Sequence, residues 1–308
     1  MNNNERKFFK PSRWAKVAIL GCFLAGQALA PSVPHGTAEA AERPVVGTWM
    51  WNPYAIGEDP AGTLQALSER GVNLVYLCID RDYPKDYYSR FIREAGALGI
   101  EVQALGGAPN WVLPEHNKKL YDFIYWVTSY NSQAAPEERF AGIHLDVEPY
   151  VLPEWSSDSD RIIGLWMDTV SGFVEEVRSA GSLKAGLDMP VWLDHFSVRD
   201  GYGGRTTLSD WLIRRVDEVT LMAYRTSAKE VADSVQTELD EADRAGVPVV
   251  IGVDTADTGQ LQESYYYHGT KRMNSDLALV AETYGSRPSY RGYSVHEWDS
   301  WIRLGPGS

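Results

Sequence analysis

The chain has 308 residues, 44% of them hydrophobic, and sets 29 Lys and Arg against 42 Asp and Glu for a formal charge of −13. That acidity argues against nucleic acid and anionic membrane surfaces as partners. Two cysteines cannot form a disulfide framework, and the length suits one (β/α)8 barrel better than a small sandwich.

Residues 1–40 read as a signal peptide. Arg6, Lys7, Lys10, Arg13 and Lys16 form a basic start, and 17–30 form an apolar stretch shorter than the roughly 20 residues that span a bilayer as a helix. Ala38-Glu39-Ala40 places small residues where a signal peptidase reads them, so cleavage is expected after Ala40; a cut after Ala30 would leave Pro31 first. The alternative is a lipoprotein signal ending at Cys22, where Leu20 fits poorly. Cleavage leaves 41–308 as a single domain with 24 basic and 40 acidic side chains, a formal charge of −16. Cys78 then stands alone in the apolar run 74–79 and reads as a small buried hydrophobe. The mature protein is expected to be secreted or held at the cell surface, with no stable membrane partner after cleavage.

From Pro44 onward, short runs rich in β-branched and aromatic residues alternate with longer amphipathic stretches, about 30 residues apart, as βα units require. In a barrel the site lies at the C-terminal strand ends, so each strand is read for what it delivers there. The first, 45–51, delivers Trp49, Trp51 and Asn52 where a dinucleotide-binding fold would carry a glycine-rich loop; no cofactor is expected. A helix over 61–69 runs into Gly71, which suits a left-handed cap. The second strand, 73–80, delivers Asp80 and Asp82 ahead of a helix over 85–98. The third, 101–106, leads through Gly106-Gly107 to Asn110 and Trp111, before a helix over 118–129.

The fourth strand, 142–148, is the most informative. Alternation puts His144, Asp146 and Glu148 on the inner face, successive members about 6.6 Å apart, with Leu145 and Val147 outward. Repulsion between the two acids, with partial burial, should raise the pKa of one of them, as a general acid near neutral pH needs. The alternative is that one of the pair only bonds neighbouring strands. A helix over 159–180 follows, then a fifth strand, 184–189, delivering Asp188 and Trp192. A helix over 208–215 precedes the sixth strand, 218–225, with Tyr224 and Arg225. A helix over 228–245 ends at Gly246 before the seventh strand, 249–254, with Asp254. A helix over 275–284 leads to the eighth, 292–298, with Glu297 and Trp298. Eight strands and seven helices, with near-continuous apolar runs over 74–79 and 248–253, predict an α/β chain folded as a closed (β/α)8 TIM barrel.

Ala141-Gly142-Ile143-His144-Leu145-Asp146-Val147-Glu148 resembles the signature of family 18 glycoside hydrolases, in which Asp-Gly-x-Asp-x-Asp-x-Glu ends the fourth barrel strand. Leu221-Met222-Ala223-Tyr224 resembles the Met-x-Tyr that ends strand six there, and Trp298 stands where strand eight carries a Trp beneath the sugar. The resemblance implies Glu148 as proton donor. It also implies that Asp146 orients a substrate acetamido group and that Tyr224 hydrogen-bonds it, so that its carbonyl oxygen acts as internal nucleophile. Three positions depart from the pattern: Ala141 and His144 replace the first two aspartates, and Arg225 replaces the Asp or Asn after the tyrosine. Either His144 takes over part of the middle aspartate's duty, or the chemistry differs. Glu148-Pro149 also resembles the Asn-Glu-Pro acid/base of the large clan of retaining glycosidases, with Asp254 near the place of the strand-seven nucleophile, although Val147 stands where that clan has Asn.

Sugar rings offer apolar faces that stack on indoles and polar rims that suit carboxylates, so Trp49, Trp51, Trp111, Trp192 and Trp298 near strand ends point to carbohydrate. Asp80, His144, Asp188, Arg225, Asp254 and Glu297 complete the expected binding set. The leading expectation is a secreted glycoside hydrolase acting on an extracellular or cell-wall polysaccharide, N-acetylated amino sugars included, with Glu148, Asp146 and Tyr224 catalytic. The alternatives are a retaining glycosidase using Glu148 and Asp254, a carbohydrate-binding barrel without catalysis, and a metal-dependent hydrolase built on His144, Asp146 and Glu148 with Asp80 or Asp188. The last lacks any His-x-His, Cys-x-x-Cys or His-Glu-x-x-His spacing. His195, His268 and His296 read as loop or internally bonded histidines, and 265–268 as a flap or an ordinary exposed loop.

Overall fold

A computed structural model describes residues 43–307. The expected signal peptide, with its cut after Ala40 and the alternative at Cys22, lies outside the described residues. Eight parallel strands close a barrel: β1 (Val45–Met50), β2 (Leu74–Cys78), β3 (Glu101–Gly106), β4 (Gly142–Leu145), β5 (Lys184–Pro190), β6 (Glu218–Met222), β7 (Val249–Asp254) and β8 (Tyr290–His296). Each pairs with its neighbours in sequence, and β8 closes on β1 from Val45 opposite Gly292 to Thr48 opposite Val295. The predicted (β/α)8 barrel is therefore the observed fold.

Two-residue alternation divides each strand between two cores. Val75, Leu77, Ile143, Leu145, Val147, Leu187, Leu221 and Val253 face outward and join the helices in one continuous apolar shell. Trp49, Leu74, Tyr76 and Leu105 face inward and form a smaller cluster inside the barrel. The helix Ser159–Ser179 shows how the shell is sealed. Asp158 caps it by accepting from the Arg161 amide, and Ile162, Ile163, Trp166, Val170, Phe173, Val174 and Val177 recur at helical spacing on its buried face. Full burial of each such side chain contributes about 1.5–3 kcal/mol. At the N-terminal end of the barrel, Lys184 pairs with Glu101 at 2.9 Å, and Gln103 donates to Glu218 at 2.6 Å, so inward-facing polar groups there are matched with one another.

Gly71 and Gly246 adopt the left-handed conformation expected of them, at φ 71° and 69°. Several elements differ from expectation. β4 stops at Leu145, short of Asp146 and Glu148. β6 stops at Met222, short of Tyr224. A hairpin, Ser197–Arg199 paired with Arg205–Thr207, interrupts the stretch between β5 and the helix Leu208–Ile213. The last strand ends at His296, because Glu297 opens a short helix, Trp298–Trp301, by accepting from the amides of Ser300 at 2.9 Å and Asp299 at 3.0 Å. Among the described residues, no helix is long and apolar enough to cross a membrane.

Candidate active site

The site is built upward from a buried layer at the level of His144. This side chain is 0% exposed; it stacks on Tyr76 with ring centroids 3.9 Å apart and lies against Gly186 of the adjacent strand. A β-carbon at 186 would sit 2.5 Å from His144 Nδ1, so glycine is what makes room for the imidazole. His144 Nε2 comes within 3.0 Å of Asp188 Oδ1, but in a direction that makes no hydrogen bond, so the contact is an electrostatic approach rather than a directed bond. Asp188 Oδ2 accepts from Trp49 Nε1 at 2.9 Å, and the Tyr76 hydroxyl shares a hydrogen bond with Thr220 at 2.8 Å. Trp49, expected to stack on sugar, is 1% exposed: its indole fills the barrel interior and anchors Asp188. Asp188 likewise lies in this layer, 1% exposed, rather than at an open surface.

Asp146 and Glu148 rise above this layer, past the end of β4. Gly107 allows the chain to close in there, because a side chain on it would overlap the Asp146 carbonyl. Burial, then the charges of Asp188 and Glu148, push the Asp146 carboxyl well above the ordinary carboxylate range, and its hydrogen bond with Glu148 pushes it further. Asp146 Oδ1 has no hydrogen-bond partner among the described residues. Burial also raises Glu148, opposed by a hydrogen bond from the Tyr150 hydroxyl. Both carboxyls are therefore shifted toward the protonated form. Tyr224 completes this wall. Burial, then the charges of Asp188, Asp254, Asp146 and Glu148, push its hydroxyl well above the ordinary phenol range. Arg225 turns its guanidinium back onto the Tyr224 carbonyl at 2.7 Å.

The opposite wall is built by β7, β8 and β1. Asp254, 2% exposed, binds His296 Nδ1 at 2.7 Å through Oδ1 and accepts from the Ala256 amide at 3.1 Å through Oδ2. His296 Nε2 in turn accepts from Trp51 Nε1 at 3.1 Å. The His296 ring lies 5.5 Å from Trp49 and 5.7 Å from Tyr224. Trp298 does not occupy this position. It is 2% exposed in the outer shell, beside Trp301 and beneath the Arg70 guanidinium at 5.7 Å. Glu297 spends both carboxylate oxygens capping the helix. The last strand ends two residues short of 298, which takes these two out of the barrel mouth, and His296 is an internally bonded histidine, one of the two readings its sequence allows. The cue was present: a Glu with Ser three positions on marks a helix start, and alternation back from it puts Ser294 and His296 inward.

Further out, Tyr150, Trp155, Trp192 and Phe196 form a half-buried aromatic cluster, with Tyr150 and Trp192 centroids 5.0 Å apart. Asp80 lies on the rim, accepting from the Tyr54 hydroxyl at 2.6 Å and the Asp82 amide at 2.9 Å, bonds that hold its carboxyl below the usual range. It lines a cavity of about 640 Å³ with Tyr54, Cys78, Arg81 and Trp126, displaced from Glu148. Cys78 is half-buried there, and burial pushes its thiol up to about 11. The Tyr265–Tyr267 turn is packed down: Tyr265 bonds Asp276, Tyr267 bonds Asp257, and the following His268 bonds the Leu261 carbonyl. Among the described residues, no group of three or more His, Cys, Asp or Glu is placed to hold a metal ion.

No protein-family model and no curated protein matches the chain. Solved structures do. A GH18 chitinase from Pseudoalteromonas aurantia superposes with a TM-score of 0.55 at 11% identity, covering 84% of this chain and 98% of that one. The chain shares its fold with glycoside hydrolase barrels. A GH113 β-1,4-mannanase gives 0.54 at 13% identity over 83% and 89% of the two chains, and a fungal β-1,4-galactanase gives 0.53 at 14% over 84% and 90%. Identities this low establish the common barrel.

Proposed function

We propose that this protein is an exported glycoside hydrolase that cleaves a polysaccharide outside the cell, with Glu148 as general acid. The observation that carries this reading is the placement of Asp146 and Glu148 together just past the end of β4, at the C-terminal mouth of a barrel, where burial raises both carboxyls. In the bond-breaking step the proton passes from Glu148 to the glycosidic oxygen as that oxygen leaves the anomeric carbon. Water supplies the hydroxyl group that replaces it and returns a proton to the pair. Asp146 holds the proton in reserve behind Glu148, and Tyr224 donates from its protonated hydroxyl to a polar group of the bound sugar, an acetamido oxygen where the sugar carries one. The shared barrel of the chitinase, mannanase and galactanase supports a polysaccharide substrate.

Asp254 is a poor nucleophile in this geometry, because both of its oxygens are bonded and it is almost fully buried. The acetamido-assisted route needs no such nucleophile, and this favours it over a Glu148–Asp254 retaining pair.

The test is hydrolysis of chitin, chitosan, β-1,4-mannan and β-1,4-galactan by the wild type and by Glu148→Gln. The wild type should release reducing ends from at least one, and Glu148→Gln should lose about 10²–10⁴-fold in kcat while still binding it. Equal activity in the two removes Glu148 from the chemistry. Binding without hydrolysis by the wild type makes this a carbohydrate-binding barrel. Export is tested by sequencing the N-terminus of protein recovered from the medium, expected to begin at Ala41.

A further inference from the structure

The strand ends of β7, β8 and β1 carry a continuous bonded chain that the general-acid chemistry leaves unused. We propose that Trp51 is the sugar-stacking platform of the mouth and that His296, oriented by Asp254, is the positioning residue that locks the indole in place. The proposal rests on the carbohydrate reading above and adds two roles to it.

The bonding determines the direction of the chain. An indole N–H only donates, so Trp51 Nε1 at 3.1 Å requires a lone pair on His296 Nε2. The hydrogen on His296 is then at Nδ1, which donates to Asp254 Oδ1 at 2.7 Å. Asp254 is itself fixed, since its second oxygen accepts from the Ala256 amide. Each donor meets one acceptor, and the three side chains come from three adjacent strands of the closed barrel. The imidazole has no freedom to turn: Trp49 stands at its edge at 5.5 Å and Tyr224 lies on its other side at 5.7 Å.

Trp51 is the member of this chain with a broad apolar ring open to a ligand; the His296 side chain is itself 25% exposed, and Asp254 is buried. Trp51 sits one residue beyond β1, half-exposed, and packs against the inner cluster of Trp49, Leu74, Tyr76 and Leu105, thereby roofing the barrel interior. β4 and β8 are diametrically placed, with three strands between them in either direction around the barrel. The platform and its anchor therefore belong to the wall facing Glu148, so that a ring held on Trp51 lies within the same mouth as the proton. An indole free to swing would have to be ordered at each binding event; one already bonded has met that cost in folding. Trp49, by contrast, has the same residue type on the same strand but is buried with its N–H on Asp188, which removes it from contact with substrate.

Three variants separate positioning from mere packing. His296→Phe keeps the ring volume and removes the acceptor; His296→Gln keeps an amide oxygen to accept and an amide N–H to donate; Trp51→Ala removes the platform. The first readout needs no sugar: the ¹⁵N-indole spectrum, with the Trp51 peak assigned by its loss in Trp51→Phe. That peak should move in His296→Phe and return toward its wild-type position in His296→Gln. The second is calorimetric binding, in the Glu148→Gln background, of β-1,4-linked hexasaccharides of N-acetylglucosamine, glucosamine, mannose and galactose. The oligosaccharide that binds should do so about tenfold more weakly to Trp51→Ala and about three- to tenfold more weakly to His296→Phe, with His296→Gln restoring part of the loss. A Trp51 peak indifferent to His296→Phe overturns the lock. Full binding by Trp51→Ala overturns the platform while leaving the glycosidase reading intact, since that reading stands or falls on the Glu148→Gln kinetics. Failure of every hexasaccharide to bind overturns the platform as well.

Discussion

The two walls of the barrel mouth use the same residue types in opposite ways. On the β4–β5 side, Asp146 and Glu148 are half-buried, Asp146 Oδ1 has no hydrogen-bond partner among the described residues, and burial raises both carboxyls. On the β7–β8–β1 side, Asp254 is more deeply buried, yet each oxygen is met by an N–H, and a histidine stands beside it. A buried acid left short of donors keeps its proton and can give it away; one fully bonded serves to hold its neighbours still. The two sides differ in partners as well as in depth.

Asp146→Asn breaks the comparison most directly. It removes the proton store behind Glu148 while keeping the shape, so kcat on the best polysaccharide should fall about 10²-fold with KM little changed. A smaller loss than tenfold would show that Glu148 works alone. Glu238 provides a control away from the mouth, because it is buried in the helix Ala228–Ala245 with Oε1 unpartnered among the described residues, and burial raises it to about 7. Its folded-state pKa lies above the unfolded one, so stability is full below about pH 4.5, declines as the pH rises through 7, and stays low beyond. Glu238→Gln should therefore gain about 2–3 kcal/mol over wild type at pH 8 and nothing comparable at pH 4, by denaturant unfolding at both, with catalysis unaffected. Parallel unfolding curves at the two pH values would remove burial as the cause.

Gly186→Ala sharpens the comparison from below. The added methyl meets His144 Nδ1, and overpacking of this kind costs about 1–3 kcal/mol, read as a lower Tm together with reduced activity if the displaced imidazole disturbs Asp146. Tyr150→Phe has the smallest expected effect. The Tyr150 hydroxyl holds the Glu148 pKa down, so its loss should raise that pKa and shift the alkaline limb of the kcat–pH profile upward. A shift toward acid would contradict the bonding described.

Much of the fold was legible because burial on both faces of a barrel strand leaves apolar runs, and because alternation is local: His144, Asp146 and Glu148 could be placed inward, and Leu145 and Val147 outward, from spacing alone. The candidate site was legible in part. The tryptophans were recognised as plentiful, but which of them faces a ligand depends on neighbours from distant strands. Trp49 and Trp51 differ by two residues, point to the same side of the strand, and part company only because Asp188 waits for one and His296 for the other. Trp298 was misplaced by a two-residue error at a strand end, enough to carry it from the mouth into the outer shell.

By itself the sequence determined the barrel, its eight strands and the inward acid pair on the fourth, since periodicity, cap residues and glycine breaks act within a few residues of one another. Only the tertiary structure decided which acids are satisfied and which hold a proton. Asp146 and Asp254 are the same residue type, and they differ in their partners: His296, 42 positions on, comes to Asp254 on the neighbouring strand, whereas Asp146 Oδ1 meets no donor among the described residues.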